Sequence, residues 1–136
     1  MENPSKKGQQ LLRTALLANA SFSIISGLTL VLAGREIVRL LGLPDAVSLV
    51  PLGVSLLVFA AVLVLFARKK SIKLSDAWIA VVMDAAWVIG SYPLLFMAPF
   101  STGGKWIVGI VAEVVMVFAL LQWFGIRRIK RASLAG

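Results

Sequence analysis

Residues 77–97 read AWIAVVMDAAWVIGSYPLLFM, an apolar stretch that is long enough to cross a bilayer and carries one carboxylate, Asp84. A helix of about 20 apolar residues spans the hydrocarbon layer of a membrane. A charged group inside such a helix must face other protein or water, because lipid offers it no partner. The stretch therefore predicts a membrane-spanning helix whose Asp84 side is turned away from lipid.

Other apolar stretches of the chain have a similar length. They lie at residues 12–33, 49–67 and 106–126. The chain has 136 residues and is 60% hydrophobic, whereas a soluble domain is about 45–50% apolar. We therefore predict an all-α protein, an integral membrane four-helix bundle over residues 10–128 that runs up and down. Residues 1–9 are expected to form a mobile polar tail, and residues 129–136 a basic tail.

Basic residues are concentrated on one side of this predicted bundle. The chain has 14 Lys and Arg against 6 Asp and Glu, and all of the basic residues except Arg35, Arg39 and Lys105 fall on the side of the two termini. An excess of Lys and Arg marks the cytoplasmic side of membrane helices. Both termini are therefore expected in the cytoplasm. The basic residues expected to contact lipid head groups are Arg35, Arg39, Arg68, Lys69, Lys70, Arg127 and Arg128.

The composition excludes several kinds of chemistry. The chain contains no Cys and no His. Thiol–disulfide chemistry, iron–sulfur clusters, haem held by His and the usual zinc sites all need one or both of these residues. We therefore expect no cofactor and no metal site. The positive charge is accounted for by the membrane, so nucleic acid is not an expected partner.

The first span has a second interpretation. Lys6 and Lys7 precede an apolar run, as in a secretory signal peptide, and small side chains would allow cleavage after Ala33. The run is long enough to cross the membrane, however, and this favours an uncleaved first helix.

The connection between the first two spans contains start and stop signals for helices. Residues 35–42 have a polar and an apolar side, so we expect a short amphipathic helix at the membrane surface, ended by Gly42. Pro44 follows and stops the helix. Ser48 is expected to cap the second span, with Pro51 in its first turn.

Similar signals flank the third span. Ser75 or Asp76 is expected to be its N-cap. Pro93 removes one backbone hydrogen bond and disfavours helix at the preceding residue. The third helix is therefore expected to bend or end near residues 90–92.

Two helical faces combine small and polar side chains. The face on the third span comprises Ala77, Ala80, Asp84, Val88 and Ser91. The face on the first span comprises Ala15, Asn19, Phe22 and Ser26. Such faces let helices approach closely and hydrogen-bond to each other. We interpret both as packing faces, with a ligand-lining face as the alternative for the first span.

Counting residues inward from the ends of the spans sorts the candidate ligand-binding or proton-carrying side chains into two layers. The inner layer holds Asn19, Asp84 and Gln122, with Arg13 at its mouth. The outer layer holds Ser26, Ser55, Ser91, Tyr92 and Glu113. Polar residues in membrane spans point to a function but do not name a substrate.

Asp84 and Glu113 each have a structural and a functional interpretation. As a structural group, Asp84 would be protonated or bonded to Asn19 or Arg13, and it would fix the register of the helices. As a functional group it would bind a cation or carry protons. Gln122 lies nine residues after Glu113 and points to the opposite side of that helix. Glu113 has no evident mate and is expected to be the better candidate for a site open to a ligand.

A short internal similarity pairs the first span with the third. Residues 19–26, NASFSIIS, align with residues 84–91, DAAWVIGS. The match indicates two related helical hairpins, with chance similarity as the alternative. A true repeat would place Asn19 and Asp84 at equivalent depths in neighbouring helices.

Several stretches of the chain resemble those of a known group of proteins. They are ANASFSIISGL at 18–28, LGLP at 41–44, DAAWVIGS at 84–91 and FALLQWFGIRR at 118–128. Together they resemble small bacterial four-helix membrane proteins of the DoxX-like type. The resemblance implies a multi-pass protein of the bacterial cytoplasmic (inner) membrane. Some members of the group are described as subunits of quinone-linked oxidoreductases, which implies an anchoring or quinone-side role for a chain without cofactor ligands.

The sequence leaves several functions open. The first is a non-enzymatic protein, either an accessory subunit of a larger membrane complex or homo-oligomer, or a binder of a lipid- or quinone-like ligand within its bundle. The second is an oligomeric proton- or cation-coupled transporter that uses Asp84 or Glu113. The third is a membrane enzyme that acts on lipid or quinone head groups through Glu113 with Arg35 or Arg39, for which no nucleophile–base pair is evident.

Overall fold

A computed structural model of the chain describes residues 4–135. Over that range the protein is all-helical and has no strand, which confirms the predicted fold class at that level. The helices are α1 (Pro4–Leu32), α2 (Gly34–Leu41), α3 (Val50–Ala67), α4 (Leu74–Met97) and α5 (Thr102–Ala135). Four of them, all except α2, are long and apolar enough to cross a membrane.

The terminal helices extend further than the apolar stretches that predicted them. The predicted tails, residues 1–9 and 129–136, are helical wherever the structure describes them, so α1 and α5 include residues that the prediction placed outside the bundle. The N-terminal part of α1 packs directly against the C-terminal part of α5. A Cβ atom added at Gly8 would lie 2.8 Å from Cγ1 of Ile129, so the two helices are in close contact there. Loss of apolar character marks where a helix leaves the hydrocarbon layer, not where the helix ends.

The short helix α2 has the predicted position and end. It spans Gly34–Leu41, and Gly42 follows it in the left-handed conformation with φ of 73°. The predicted cap of α3 is wrong, since Leu49 occupies the N-cap position without a side-chain hydrogen bond. The Ser48 hydroxyl accepts only a long bond of 3.4 Å from the Val50 amide. Pro51 lies in the first turn of α3, as predicted.

The beginning of α4 differs from the predicted one, and its end excludes one of the two alternatives predicted for Pro93. The helix begins at Leu74, so Ser75 and Asp76 lie inside its first turn and do not cap it. It continues through Pro93 to Met97, so it does not end near residues 90–92, and the alternative of a bend there stays a prediction. Proline removes one backbone hydrogen bond but keeps a φ that a helix accepts, and helices of membrane proteins tolerate it.

The long helices form a ring that is open on one side. α1 packs along both α3 and α5, and α5 also packs along α4. α3 and α4 follow each other in the chain but touch through only a few residues. The order around the ring is therefore α3, α1, α5, α4, with a gap between the first and the last.

Glycines set the closest approach in this ring. A side chain added at Gly53 of α3 would lie 2.8 Å from the carbonyl oxygen of Gly27 in α1, and one added at Gly27 would lie 2.8 Å from the carbonyl oxygen of Gly53. The two backbones are therefore in direct contact, which only residues without a side chain allow. This contact holds α1 and α3 together.

The end of the molecule at which Gly8 meets Ile129 is tightly packed. Apolar side chains that are fully buried there include Leu12, Leu16, Leu63 and Ile126. The Arg13 guanidinium donates to the carbonyl oxygens of Ala67 at 2.9 Å, Lys69 at 2.8 Å and Lys70 at 3.1 Å. It thus satisfies the C-terminal end of α3. The expectation that Arg13 could pair with Asp84 is wrong.

Candidate ligand-binding site

Three buried polar side chains from three helices meet at Asp84. The Asn19 amide of α1 donates to Asp84 Oδ2 at 2.7 Å, and the Gln122 amide of α5 donates to the same oxygen at 3.1 Å. Asn19 is 1% exposed, Asp84 2% and Gln122 0%. The structure thus brings together the three residues that depth counting placed in one inner layer. We call them the Asp84 cluster.

The sequence of α4 turns Asp84 inward. The predicted face of small and polar residues is buried throughout: Ala77, Ala80, Asp84, Val88 and Ser91. Residues three and four apart lie on one side of a helix, and alanines on that side let α4 lie close to α5. The position of Asp84 therefore follows from the pattern around it.

Not every side-chain oxygen of the Asp84 cluster accepts a hydrogen bond from the described residues. Oδ2 of Asp84 accepts both amide bonds, and no donor among the described residues is bonded to Oδ1. The side-chain oxygen of Gln122 is buried and has no hydrogen-bond partner among the described residues. A buried polar atom without a partner costs about 1–3 kcal/mol. Gln122 does not line the cavity beside this cluster, whereas Asp84 does, so Asp84 is the residue suited to a ligand group that donates a hydrogen bond.

A cavity of about 160 Å³ lies against this cluster. Its lining residues are Asn19, Phe22, Ser23, Ser26, Ser55, Leu56, Phe59, Met83, Asp84, Trp87, Val111 and Val115. Most of the wall is apolar, and Asp84 is its only ionisable side chain. A dry apolar cavity of about 150 Å³ accepts a benzene molecule. The space therefore fits a single ring or a short branched group.

The cavity opens toward the gap between α3 and α4. Ser55 of α3 and Met83 of α4 both line the cavity, and both are exposed on the surface of the molecule. These helices do not pack along their lengths. A molecule dissolved in the membrane therefore has a sideways route to Asp84.

Residues predicted for the outer layer separate into three places. Ser26 and Ser55 line the cavity. Ser91 is buried, and its hydroxyl donates to the carbonyl oxygen of Trp87 at 2.7 Å. Tyr92 and Glu113 lie on another surface, between α4 and α5. The outer layer is therefore not one site.

Glu113 has a hydrogen-bond partner, contrary to expectation. The Tyr92 hydroxyl donates to Glu113 Oε1 at 2.5 Å, and both side chains are exposed. Gln122 is fully buried, so the two residues do point to opposite sides of α5, as their spacing predicted. Glu113 and the Asp84 cluster consequently belong to different surfaces.

Some lining residues were not recognised in the sequence. Ser23 follows Asn19 by four positions and Trp87 follows Asp84 by three, so helical spacing from the two polar residues would have found them. Phe59 and Met83 carried no such signal, because nothing in the sequence says which faces of α3 and α4 are turned toward the cavity.

The basic side chains expected at lipid head groups are all exposed: Arg35, Arg39, Arg68, Lys69, Lys70, Arg127 and Arg128. Lys69 forms an ion pair with Asp76 at 2.6 Å. Arg127 lies over the Trp123 ring, 5.0 Å from its centroid. Each of these side chains is thus accessible from outside the bundle.

Comparison with known proteins adds no precedent for the Asp84 cluster. No group of three or more potential metal ligands occurs among the described residues. No family model, curated protein or solved structure matches the chain. The cavity is therefore interpreted from its own residues.

Proposed function

We propose that this chain is a small non-enzymatic membrane protein that binds a lipid- or quinone-like molecule in the cavity beside Asp84. The observation that carries the proposal is an apolar cavity that ends at an unshared carboxylate oxygen and opens sideways between α3 and α4. Ligand sites are commonly apolar hollows with a few polar groups that orient the ligand.

The size and the lining of the cavity indicate the size and the hydrogen-bonding groups of the ligand. A ring-sized head group matches the volume of about 160 Å³. A hydroxyl on that head, as a lipid alcohol or the reduced (quinol) form of a quinone carries, would bond to Oδ1 of Asp84, which accepts no bond from the described residues. Any longer apolar tail would leave through the gap into the surrounding lipid.

We also propose that the helices run up and down, with both termini in the cytoplasm of a bacterium and the chain in its inner membrane. Contacts at one end support this arrangement: Gln9 bonds to Ile72, and Gly125 packs on Leu12. At the other end the Ser101 amide donates to the carbonyl oxygen of Leu41. The basic residues concentrate at the first of these ends, as the cytoplasmic side requires.

An accessory role within a larger complex or homo-oligomer is compatible with ligand binding. Coupled transport that uses Asp84 or Glu113 stays a prediction, and the two carboxylates line separate hollows. Head-group enzymology has less support. Arg35 and Arg39 line a cleft with Asp45, not with Glu113.

The proposal is tested by identifying the molecules that co-purify with the protein. The full chain is purified in mild detergent, and bound apolar molecules are extracted and identified by mass spectrometry. Ser26→Leu fills the cavity. Ser21→Leu is the matched control, since Ser21 is exposed on α1 and its hydroxyl bonds only to the carbonyl oxygen of Leu17.

The wild type and Ser21→Leu are expected to carry a stoichiometric apolar molecule, and Ser26→Leu is expected to lose most of it. An empty wild-type protein contradicts the proposal, and so does equal loading of all three proteins.

A further inference from the structure

A second hollow runs along the outside of α4 and α5. It encloses about 610 Å³ and is lined mainly by apolar side chains. This volume is in the range of sites that hold drug-sized molecules, about 300–1,000 Å³. It shares no residue with the cavity beside Asp84. We call it the Glu113 groove.

Glu113 is the acidic side chain of this groove and forms no ion pair among the described residues. It lies inside the apolar part of α5, in the candidate membrane span Thr102–Ala132. Its hydrogen bond comes from the neutral hydroxyl of Tyr92, and Lys69 with Asp76 is the only ion pair among the described residues. An ionised group at membrane depth is costly unless a partner neutralises it. The charge that complements the groove is therefore positive.

Aromatic rings surround the carboxylate. Tyr92, Phe96 and Trp106 all line the groove. Phe96 is 84% exposed and Trp106 71%, so their faces are free to receive a partner. Aromatic faces attract cations, and sites that hold organic ammonium groups are built from them.

We propose that the Glu113 groove binds an amphiphilic organic cation. Its positive charge lies beside the free oxygen of Glu113, and its apolar groups rest on Trp106, Phe96 and Ile110. The hydrogen bond from Tyr92 holds the carboxylate in place and leaves its second oxygen for the cation.

The charge of Lys105 affects which class of ligand the groove can bind. Lys105 lines the same groove eight residues before Glu113, about 12 Å away along the helix. Its charge opposes a cation, whereas it would attract an anionic lipid. A second copy related by an axis along the membrane normal would place Glu113 opposite another Glu113, which is repulsive. The free carboxylate and the aromatic rings favour the cation.

The test uses the full chain in detergent, with two probes of equal shape and opposite charge, tetraphenylphosphonium and tetraphenylborate. Binding is measured by equilibrium dialysis. The wild type is expected to bind the phosphonium saturably and more tightly than the borate. Glu113→Gln is expected to weaken phosphonium binding about tenfold, because a charged partner is lost. Glu36→Gln, an exposed carboxylate on α2, is the matched control and is expected to change nothing.

Further variants keep the test decisive if Glu113→Gln does not fold. Lys105→Ala is expected to tighten phosphonium binding, and Trp106→Ala to weaken it about two- to fivefold. The proposal is overturned if Glu113→Gln folds and binds like the wild type, or if the borate binds as tightly as the phosphonium. Borate binding that is tighter than phosphonium binding and is weakened by Lys105→Ala also overturns it and assigns the groove to an anionic lipid.

Discussion

Replacement of Asp84 by alanine is expected to loosen three helices at once. The change removes the bonds of 2.7 Å from Asn19 and 3.1 Å from Gln122, and it leaves both buried amides without an acceptor. Hydrogen bonds between membrane helices contribute about 0.6 kcal/mol on average and up to about 1.7 kcal/mol. An orphaned buried polar group costs about 1–3 kcal/mol. Together these give an expected loss of about 2–4 kcal/mol for Asp84→Ala.

Asp84→Asn is the decisive comparison, since its amide oxygen can still accept both bonds. We expect a loss below about 1 kcal/mol for this variant. Glu113→Ala is a matched control, because Glu113 is exposed and has one partner, and we expect a change within about 1 kcal/mol.

Unfolding is followed by tryptophan fluorescence while sodium dodecyl sulfate is titrated into mixed micelles. Equal stability of Asp84→Ala and Asp84→Asn, or a more stable Asp84→Ala, would refute the view that Asp84 joins the three helices.

The same titration tests further contacts. Gly53→Ala places a methyl group 2.8 Å from the α1 backbone and is expected to destabilise the protein by about 1–3 kcal/mol. Gly90→Ala, whose methyl group meets nothing within 4 Å, is expected to stabilise it by about 0.5–1 kcal/mol. Arg13→Met breaks the bonds to the 67–70 turn, and we expect a loss of about 2–4 kcal/mol with faster trypsin cleavage at that turn. Asp76→Asn removes an exposed ion pair and is expected to change stability by less than about 1 kcal/mol. A more stable Gly53→Ala would contradict the close contact of α1 and α3, and a less stable Gly90→Ala would contradict the open space described beside α4.

Much of the fold follows from the sequence because length and apolar character decide which helices can cross a membrane. The membership of the Asp84 cluster also follows, since residues at one depth in spans of known length meet when their faces turn inward. The small residues on the Asp84 side of α4 indicated that face. A pattern of this kind identifies the buried side of a helix.

The neighbours of each helix could not be predicted. Periodicity says that α3 has faces to pack, but it does not say that α4 stays apart from it, and this gap creates the opening of the cavity. The bond between Tyr92 and Glu113 joins two helices across a turn, so neither residue alone predicted it. The proposed repeat stays a prediction. Asn19 and Asp84 do meet at one depth, but α1 and α4 do not pack along their described lengths.

The central claim, that a membrane molecule occupies the cavity beside Asp84, is tested most directly by thiol protection. The chain has no cysteine, so Ser55→Cys introduces a single thiol at the edge of the cavity, and Ser21→Cys introduces one on the outer side of α1. Both are reacted with an uncharged maleimide in the protein as purified, after it is stripped of bound molecules, and after the extract is added back. We predict that the Ser55→Cys thiol reacts slowly, then quickly, then slowly again, while the Ser21→Cys thiol reacts at one rate throughout. A Ser55→Cys rate that stays the same in all three states would contradict the account.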